Sequence, residues 1–351
     1  MIEFLAGRIS PRDLTSEAWS LMFSEARQAG VLSRLGSTLC QSHATEKYLP
    51  ERLRQHVSAA AIQVDAFRRD VHRELAHIQS ALSGLQTPVL LLKGASYVLL
   101  ELPAATGRIF SDIDILVSKP HVGSAEANLM LGGWSTGKLD PYDQRYYREW
   151  SHEIPPMTHL RRGTTIDLHH SLVMPTCRIR IDSERMVKDA FPVDTNGFWL
   201  RLKDEDMLLH AASHLMLNSE FDRALRDLWD IDLLFRHFKS ISNSFFEKLI
   251  DRSEQVGLTK IIRQALFLAN HFFQTPVPEK FISNQDDFFL NLMICASSTR
   301  HPETRSGWLK ISCALLMYRE MYLRLPNRLL ALHLAHKASV LLKRTEEKKQ
   351  V

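Results

Sequence analysis

The stretch from Val89 to Val117 constrains this chain more than any other. After Pro88 the run Val89-Leu90-Leu91-Leu92 is apolar until Lys93-Gly94 breaks it, which suits a strand buried on both faces followed by a tight turn and a short helix. A second strand is predicted from Ile113 to Val117, and two acids are built into its start. Asp112 and Asp114 alternate with Ile113 and Ile115. Successive strand side chains point to opposite faces, so both carboxylates leave one face, roughly 6.6 Å apart along the strand, while the isoleucines enter the core.

Two carboxylates on one face of a buried strand repel each other unless something positive lies between them. A hard divalent cation with oxygen ligands is the usual solution. A third acid strengthens that reading. Thr164-Thr165-Ile166-Asp167-Leu168-His169 follows a turn signal at Arg161-Arg162-Gly163, so Asp167 is expected on the return strand of a hairpin whose first strand runs from Glu153 to Leu160. Three strand carboxylates can hold two Mg²⁺. His169 shares a face with Asp167 and is read either as a partner of the metal carboxylate or phosphate, or as a hydrogen-bonded histidine of a half-buried strand.

These residues resemble the nucleotidyltransferases related to DNA polymerase β. Leu92-Lys93-Gly94-Ala95, together with Arg108-x-x-Ser111-Asp112-Ile113-Asp114-Ile115-Leu116-Val117, is similar to a bacterial family within that superfamily described only as nucleotidyltransferases. The likeness extends to Asp167-Leu168-His169, to His210-x-x-x-His214 and to Leu225-x-x-Leu228-x-Asp230-Ile231. It implies that Asp112 and Asp114 bind both metal ions, that Asp167 binds one and helps activate an acceptor hydroxyl, and that attack on an α-phosphate expels pyrophosphate. That agrees with two-ion phosphoryl displacement as a chemistry. Lys93, Gly94, Ser96, Arg108, Ser111 and His169 are the expected nucleotide contacts. Gly94 would let backbone approach the triphosphate, the following helix N-terminus would offer N–H groups, and Lys93 would add charge. Many members of the superfamily have Gly-Ser or Gly-Gly at the turn. This chain has Gly94-Ala95, so any hydroxyl there must come from Ser96, and seventeen residues separate Gly94 from Asp112.

The remainder is mostly helical pattern. With 351 residues, 45% apolar and 24% charged, the chain has the composition of a globular protein with room for two ordinary domains. Helices are expected within residues 12 to 42, and from 51 to 83, where Val57, Ala61, Val64, Phe67, Val71, Leu75 and Ile78 make one apolar stripe. Lys119-Pro120 is expected to start another, ended by Gly132-Gly133. Further helices are expected over Asp204 to Phe238, with a break at Asn218-Ser219, and over 244–255, 258–273, 285–296, 305–324 and 326–343. The tail from Lys343 to Gln350 is expected to be frayed. This organisation predicts an α+β fold: a small mixed sheet over residues 87–200, a helical N-terminal region over 1–86 and a helical C-terminal domain over 201–351.

Other features point to bland roles. Tyr142, Tyr146, Tyr147 and Trp150 lie among charged residues in what reads as irregular chain; an aromatic platform for a base is conceivable, but partly buried loop aromatics are the commoner outcome. His210-x-x-x-His214 has zinc-pair spacing without a third ligand, so packing or substrate contact is preferred. His152 and His159 carry no motif and are expected on the surface. Arg223, Arg226, Asp227, Asp230 and Asp232 read as a solvated, salt-bridged helix face, with phosphate binding by the arginines as the alternative. Cys40, Cys177, Cys295 and Cys313 are widely spaced and are expected as reduced, mostly buried thiols.

A net charge of +4 permits a nucleic-acid partner without requiring one. No apolar run is long enough to span a bilayer, and Met1-Ile2-Glu3-Phe4-Leu5 is too short and acidic to read as a secretory signal, so no membrane partner is expected and the cytoplasm is the expected location. The function expected is Mg²⁺-dependent transfer of a nucleoside monophosphate from an NTP to an acceptor hydroxyl. By resemblance, the acceptor is a small molecule or sugar, a protein side chain or an RNA 3′ end. The alternative is a non-catalytic NTP-binding or scaffold protein that kept the fold.

Overall fold

The structure, a computed structural model, describes residues 1–41, 47–193, 195–217, 224–283, 287–298 and 307–337. Arg223, the Asn218-Ser219 break, the expected helix starts at 285 and 305, the expected helix end at Lys343 and the tail beyond it lie outside these residues.

A mixed seven-stranded sheet flanked by helices gives the α+β fold. Its strands are β1 (Val89–Leu91), β2 (Asp112–Leu116), β3 (Trp134–Ser135), β4 (Met157–His159), β5 (Thr165–His169), β6 (Phe191–Pro192) and β7 (Trp199–Arg201), in the spatial order β3-β4-β5-β2-β1-β7-β6. β1 runs antiparallel to β2, and β2 runs parallel to β5. β4 and β5 form the expected hairpin, although β4 is confined to Met157–His159; Glu153, at the predicted strand start, makes a separate antiparallel bridge to His169.

Ahead of the sheet lie α1 (Ser16–Gln28), α2 (Leu32–Gln41) and the long α3 (Glu51–Leu82). Thr15 caps α1 by accepting the Ala18 N–H at 3.2 Å. The buried side of α3 carries Val57, Val64, Val71, Leu75 and Ile78, as the spacing predicts; Phe67 is half-buried against the same core. Glu74 interrupts this stripe and is itself buried. It accepts from Arg162 Nε and Nη2 at 2.8 and 2.9 Å and from Thr164 Oγ1 at 2.7 Å, so the turn that leads into β5 is pinned to α3.

Between β1 and β2 runs α4 (Lys93–Leu99), and α5 (Val122–Leu131) follows a single 3-10 turn at Lys119–His121. The stretch read as irregular is ordered: Asp140 caps a short helix at Pro141–Arg145, and a π-helical turn covers Tyr146–Trp150. After the sheet come α6 (Asp204–Leu217), α7 (Ala224–Ile241), α8 (Phe245–Val256), α9 (Thr259–Phe273), α10 (Phe288–Ser297) and α11 (Leu309–Arg324), then helical residues 327–337. Most buried apolar side chains form one continuous core from Trp19 to Leu316, and Met174, Leu325 and Leu330 form a small second cluster. The four cysteines are half-buried rather than mostly buried; Cys40, Cys177 and Cys313 pack against the outside of the core.

Candidate active site

The β2–β5 pairing assembles the site. Their parallel register sets Asp114 opposite Asp167 and Asp112 opposite Thr165. Cross-strand partners project from the same face, and so do residues two apart, so Asp112, Asp114 and Asp167 share one face of the sheet. All three line a cavity of about 270 Å³ with Lys93, Gly94, Arg108, His152 and Glu153.

Asp114 is 7% exposed. Its Oδ1 accepts from Lys93 Nζ at 3.2 Å and lies 3.0 Å from His169 Nε2. Burial alone would raise the Asp114 pKa, but Lys93 and the His169 hydrogen bond outweigh it and hold this carboxyl well below the usual carboxylate range. Asp167 behaves in the opposite way. Burial, with Asp114, Glu153 and Asp112 as negative neighbours, pushes it up to about 9, and its Oδ1 has no hydrogen-bond partner. A pair of facing carboxyls with one ionised and one holding its proton is the signature of negative charge that lacks a counter-ion.

The cradle beside them is narrow. A Cβ on Gly94 would meet Arg108 Nη1 at 2.5 Å and the Phe110 ring at 2.6 Å, so only glycine fits while those side chains stay in place. Arg108 is anchored from behind: its Nε donates to Asp230 Oδ2 at 2.7 Å, and Asp227 lies 3.9 Å from Nη2. Burial would lower its pKa, but these two acids outweigh it and raise it further. Arg34 of α2 closes the network from the N-terminal side, 2.7 Å from Asp230 Oδ1. The Arg34 guanidinium also reaches the Thr106 carbonyl, and the Ser33 hydroxyl donates to Gly107 O at 2.8 Å. At Gly107, with φ +67°, the backbone passes so close to Arg34 that a Cβ would fall 2.4 Å from its Cα. The long connection from Gly94 to Asp112 is therefore packed on α2.

That network overturns the solvated-face expectation for α7. Asp230 and Asp232 are buried, and Asp227 and Arg226 are mostly so, because the two arginines on neighbouring elements and Thr275 supply partners that a solvated face would have taken from water. His159 is likewise buried rather than on the surface; its Nδ1 accepts the Arg161 and Arg162 N–H groups at 3.1 and 3.2 Å, so it organises the β4–β5 turn. His152 is half-buried on the cavity wall, and burial lowers its pKa well below the usual histidine value. His210 and His214 line the same cavity from α6, with His210 kept neutral by burial.

Other expected contacts are placed differently. Ser96 points into the core with an unpartnered hydroxyl, and Ser111 is exposed; neither lines the cavity, because α4 turns Ser96 inward and Ser111 precedes the strand. His169 reaches the site through its bond to Asp114, and its Nε2 also lies 3.4 Å from Glu153 Oε2. Glu153 is the cavity carboxylate that sequence reasoning missed. Its signal was its place at the head of the predicted strand before Asp167; the bridge that folds it against His169 is a long-range pairing with no motif. Arg226 and Arg324 complete the lining, paired with Asp227 and Glu320. The aromatic stretch packs on itself and on residues 327–337, with Tyr142 stacked on His336 at 4.0 Å, so its rings are half-buried neighbours rather than an open platform.

A family model described as Uncharacterised nucleotidyltransferase matches residues 15–274, which takes in α1, the whole sheet and the helices through α9. The chain belongs to this family. Membership supports a general role in nucleotidyl transfer, and the matched span contains every side chain of the Asp112, Asp114 and Asp167 cluster together with the Arg34–Asp230–Arg108 network behind it. No curated protein and no solved structure matches the chain. No helix among the described residues is long and apolar enough to cross a membrane.

Proposed function

We propose that this nucleotidyltransferase is Mg²⁺-dependent and moves a nucleoside monophosphate from an NTP to an acceptor hydroxyl, with Asp112, Asp114 and Asp167 as its catalytic carboxylates. The observation that carries the reading is the register that sets Asp114 against Asp167 on the face lining the cavity, with Asp112 one pleat away.

The donors are of the type a hard cation takes, but as the side chains stand the oxygens of the three aspartates do not gather within 4.8 Å of one another, whereas His152, Glu153 and His169 on the same cavity wall do. Three carboxylates are the oxygen donors Mg²⁺ prefers, and the orphaned Oδ1 of Asp167 is an acceptor without a protein donor. Asp112, Asp114 and Asp167 would hold the ion, which when bound would neutralise charge developing on the phosphoryl oxygens. Glu153 and His169 buttress Asp114: His169 Nε2 lies between the two carboxylates and fixes the Asp114 side chain. Without a side chain, Gly94 lets the Arg108 guanidinium and the Phe110 ring close over its backbone, and that guanidinium, on the cavity wall, would meet a phosphate oxygen. Leu172, Val173, Met174 and Leu217 give the cavity an apolar portion suited to a nucleobase. With its charge compensated by the ion, Asp167 would be ionised and its unpartnered oxygen would take the acceptor's proton.

Calorimetry with each of the four NTPs and Mg²⁺, on the native chain and on the Asp112→Ala/Asp114→Ala double variant, tests this. Metal-dependent binding of one NTP that the variant loses is the expected result and names the donor. If the native chain binds none of them, the non-catalytic reading replaces this one.

A further inference from the structure

Asp114 Oδ1 is occupied before any ion arrives. Lys93 Nζ lies 3.2 Å from it, and that lysine side chain is 14% exposed. Its position is set by the backbone rather than by a flexible stem alone. The β1–β2 register pairs Leu91 with Ile115, and Leu92 N–H donates to Asp114 O at 3.1 Å, which delivers the next residue to the carboxylate. Lys93 then takes a φ of +43°, in the left-handed region where a residue with a side chain costs on the order of 1 kcal/mol. A glycine follows immediately, yet the strained position holds the lysine.

The other cavity cations have partners elsewhere. Arg108 is bound to Asp230, Arg226 to Asp227 and Arg324 to Glu320. Lys93 faces the strand carboxylates, and the charges that act on it are Asp114, then Glu153, then Asp112. An ammonium is a compact point charge with three donors, the side chain closest to a small cation in how it neutralises carboxylates.

Resting on the nucleotidyl-transfer reading, we propose that the Lys93 ammonium is a built-in cation that takes one of the two positions three such carboxylates can offer, so that this centre works with a single divalent ion per chain. Lys93 neutralises Asp114 Oδ1, and Asp112 and Asp167 would be left to hold the ion. The lysine stays charged and stays on Asp114 throughout.

Mn²⁺ substitutes for Mg²⁺ and can be counted by electron paramagnetic resonance on the full chain with a non-hydrolysable NTP analogue. The native protein is expected to bind one Mn²⁺ per chain, and Lys93→Met two, with the spectral broadening of a coupled pair. Lys93→Gln, which keeps a polar stem, guards against misfolding and is expected to count as Lys93→Met does. Two Mn²⁺ in the native chain would overturn the inference while leaving nucleotidyl transfer intact, and so would a count of one in both variants. No Mn²⁺ bound to the native chain, with or without nucleotide, overturns this inference and the metal-dependent reading together.

Discussion

Asp114 and Asp167 are direct partners across the parallel β2–β5 pair, and they sit at opposite extremes of acidity: Asp114 is held ionised by Lys93 and His169, while Asp167 is pushed up to about 9 by burial and its negative neighbours. One strand pairing thus makes a site that is short of positive charge, and the predictions follow from that shortage.

Asp114→Asn keeps the shape of the side chain and removes its charge. Nucleotidyl transfer is expected to fall by roughly 100-fold or more, the scale on which preorganised charge at a phosphoryl centre acts, while the far-ultraviolet circular dichroism stays unchanged. Activity within about tenfold of the native protein would remove Asp114 from the catalytic set.

The metal-free protein carries a pH signature. Asp167 has an ordinary pKa near 4 when unfolded and about 9 when folded, so between those values the folded state binds more protons than the unfolded one. Stability from this group is therefore full below about pH 4 and is lost as pH rises toward 9. In a chelator, Asp167→Asn is expected to melt progressively higher than the native protein as pH is raised from 5 to 8, with the gap closing when Mg²⁺ is added. A gap that does not widen with pH contradicts the assignment of Asp167 as the uncompensated acid.

Gly94→Ala places a methyl 2.5 Å from Arg108 Nη1 and against Phe110. The guanidinium, buried and bound to Asp230, and the Phe110 ring must shift, so NTP affinity is expected to weaken about tenfold or more, with a stability loss of about 1–3 kcal/mol by denaturant unfolding. Unchanged NTP affinity in calorimetry would show that the cradle around Gly94 is not where the nucleotide sits.

Asp230→Ala removes the acid shared by Arg34 and Arg108. Two buried guanidinium groups lose their main partner, a change that costs on the order of 3–5 kcal/mol by denaturant unfolding. A loss under about 1 kcal/mol would mean that solvent or the neighbouring Asp227 replaces Asp230 readily.

The alternation that makes β2, the apolar run of β1 and the helical stripe of α3 were legible because local periodicity reports which face of an element is buried. Asp112, Asp114 and Asp167 stood out for the same reason, as acids where an apolar pattern asks for none. The sequence by itself determined these elements and the odd charges within them. Tertiary structure alone decided what neutralises those charges. Asp230 and Asp232 looked solvated because their partners, Arg34, Arg108 and Thr275, come from distant elements; His159 looked exposed because the amides it accepts from belong to a turn. Glu153 had no motif until a bridge to His169 folded it into the cavity. Burial and pairing of a polar group depend on which segments meet in space, and that is settled by the register and packing of the whole chain rather than by the residues on either side.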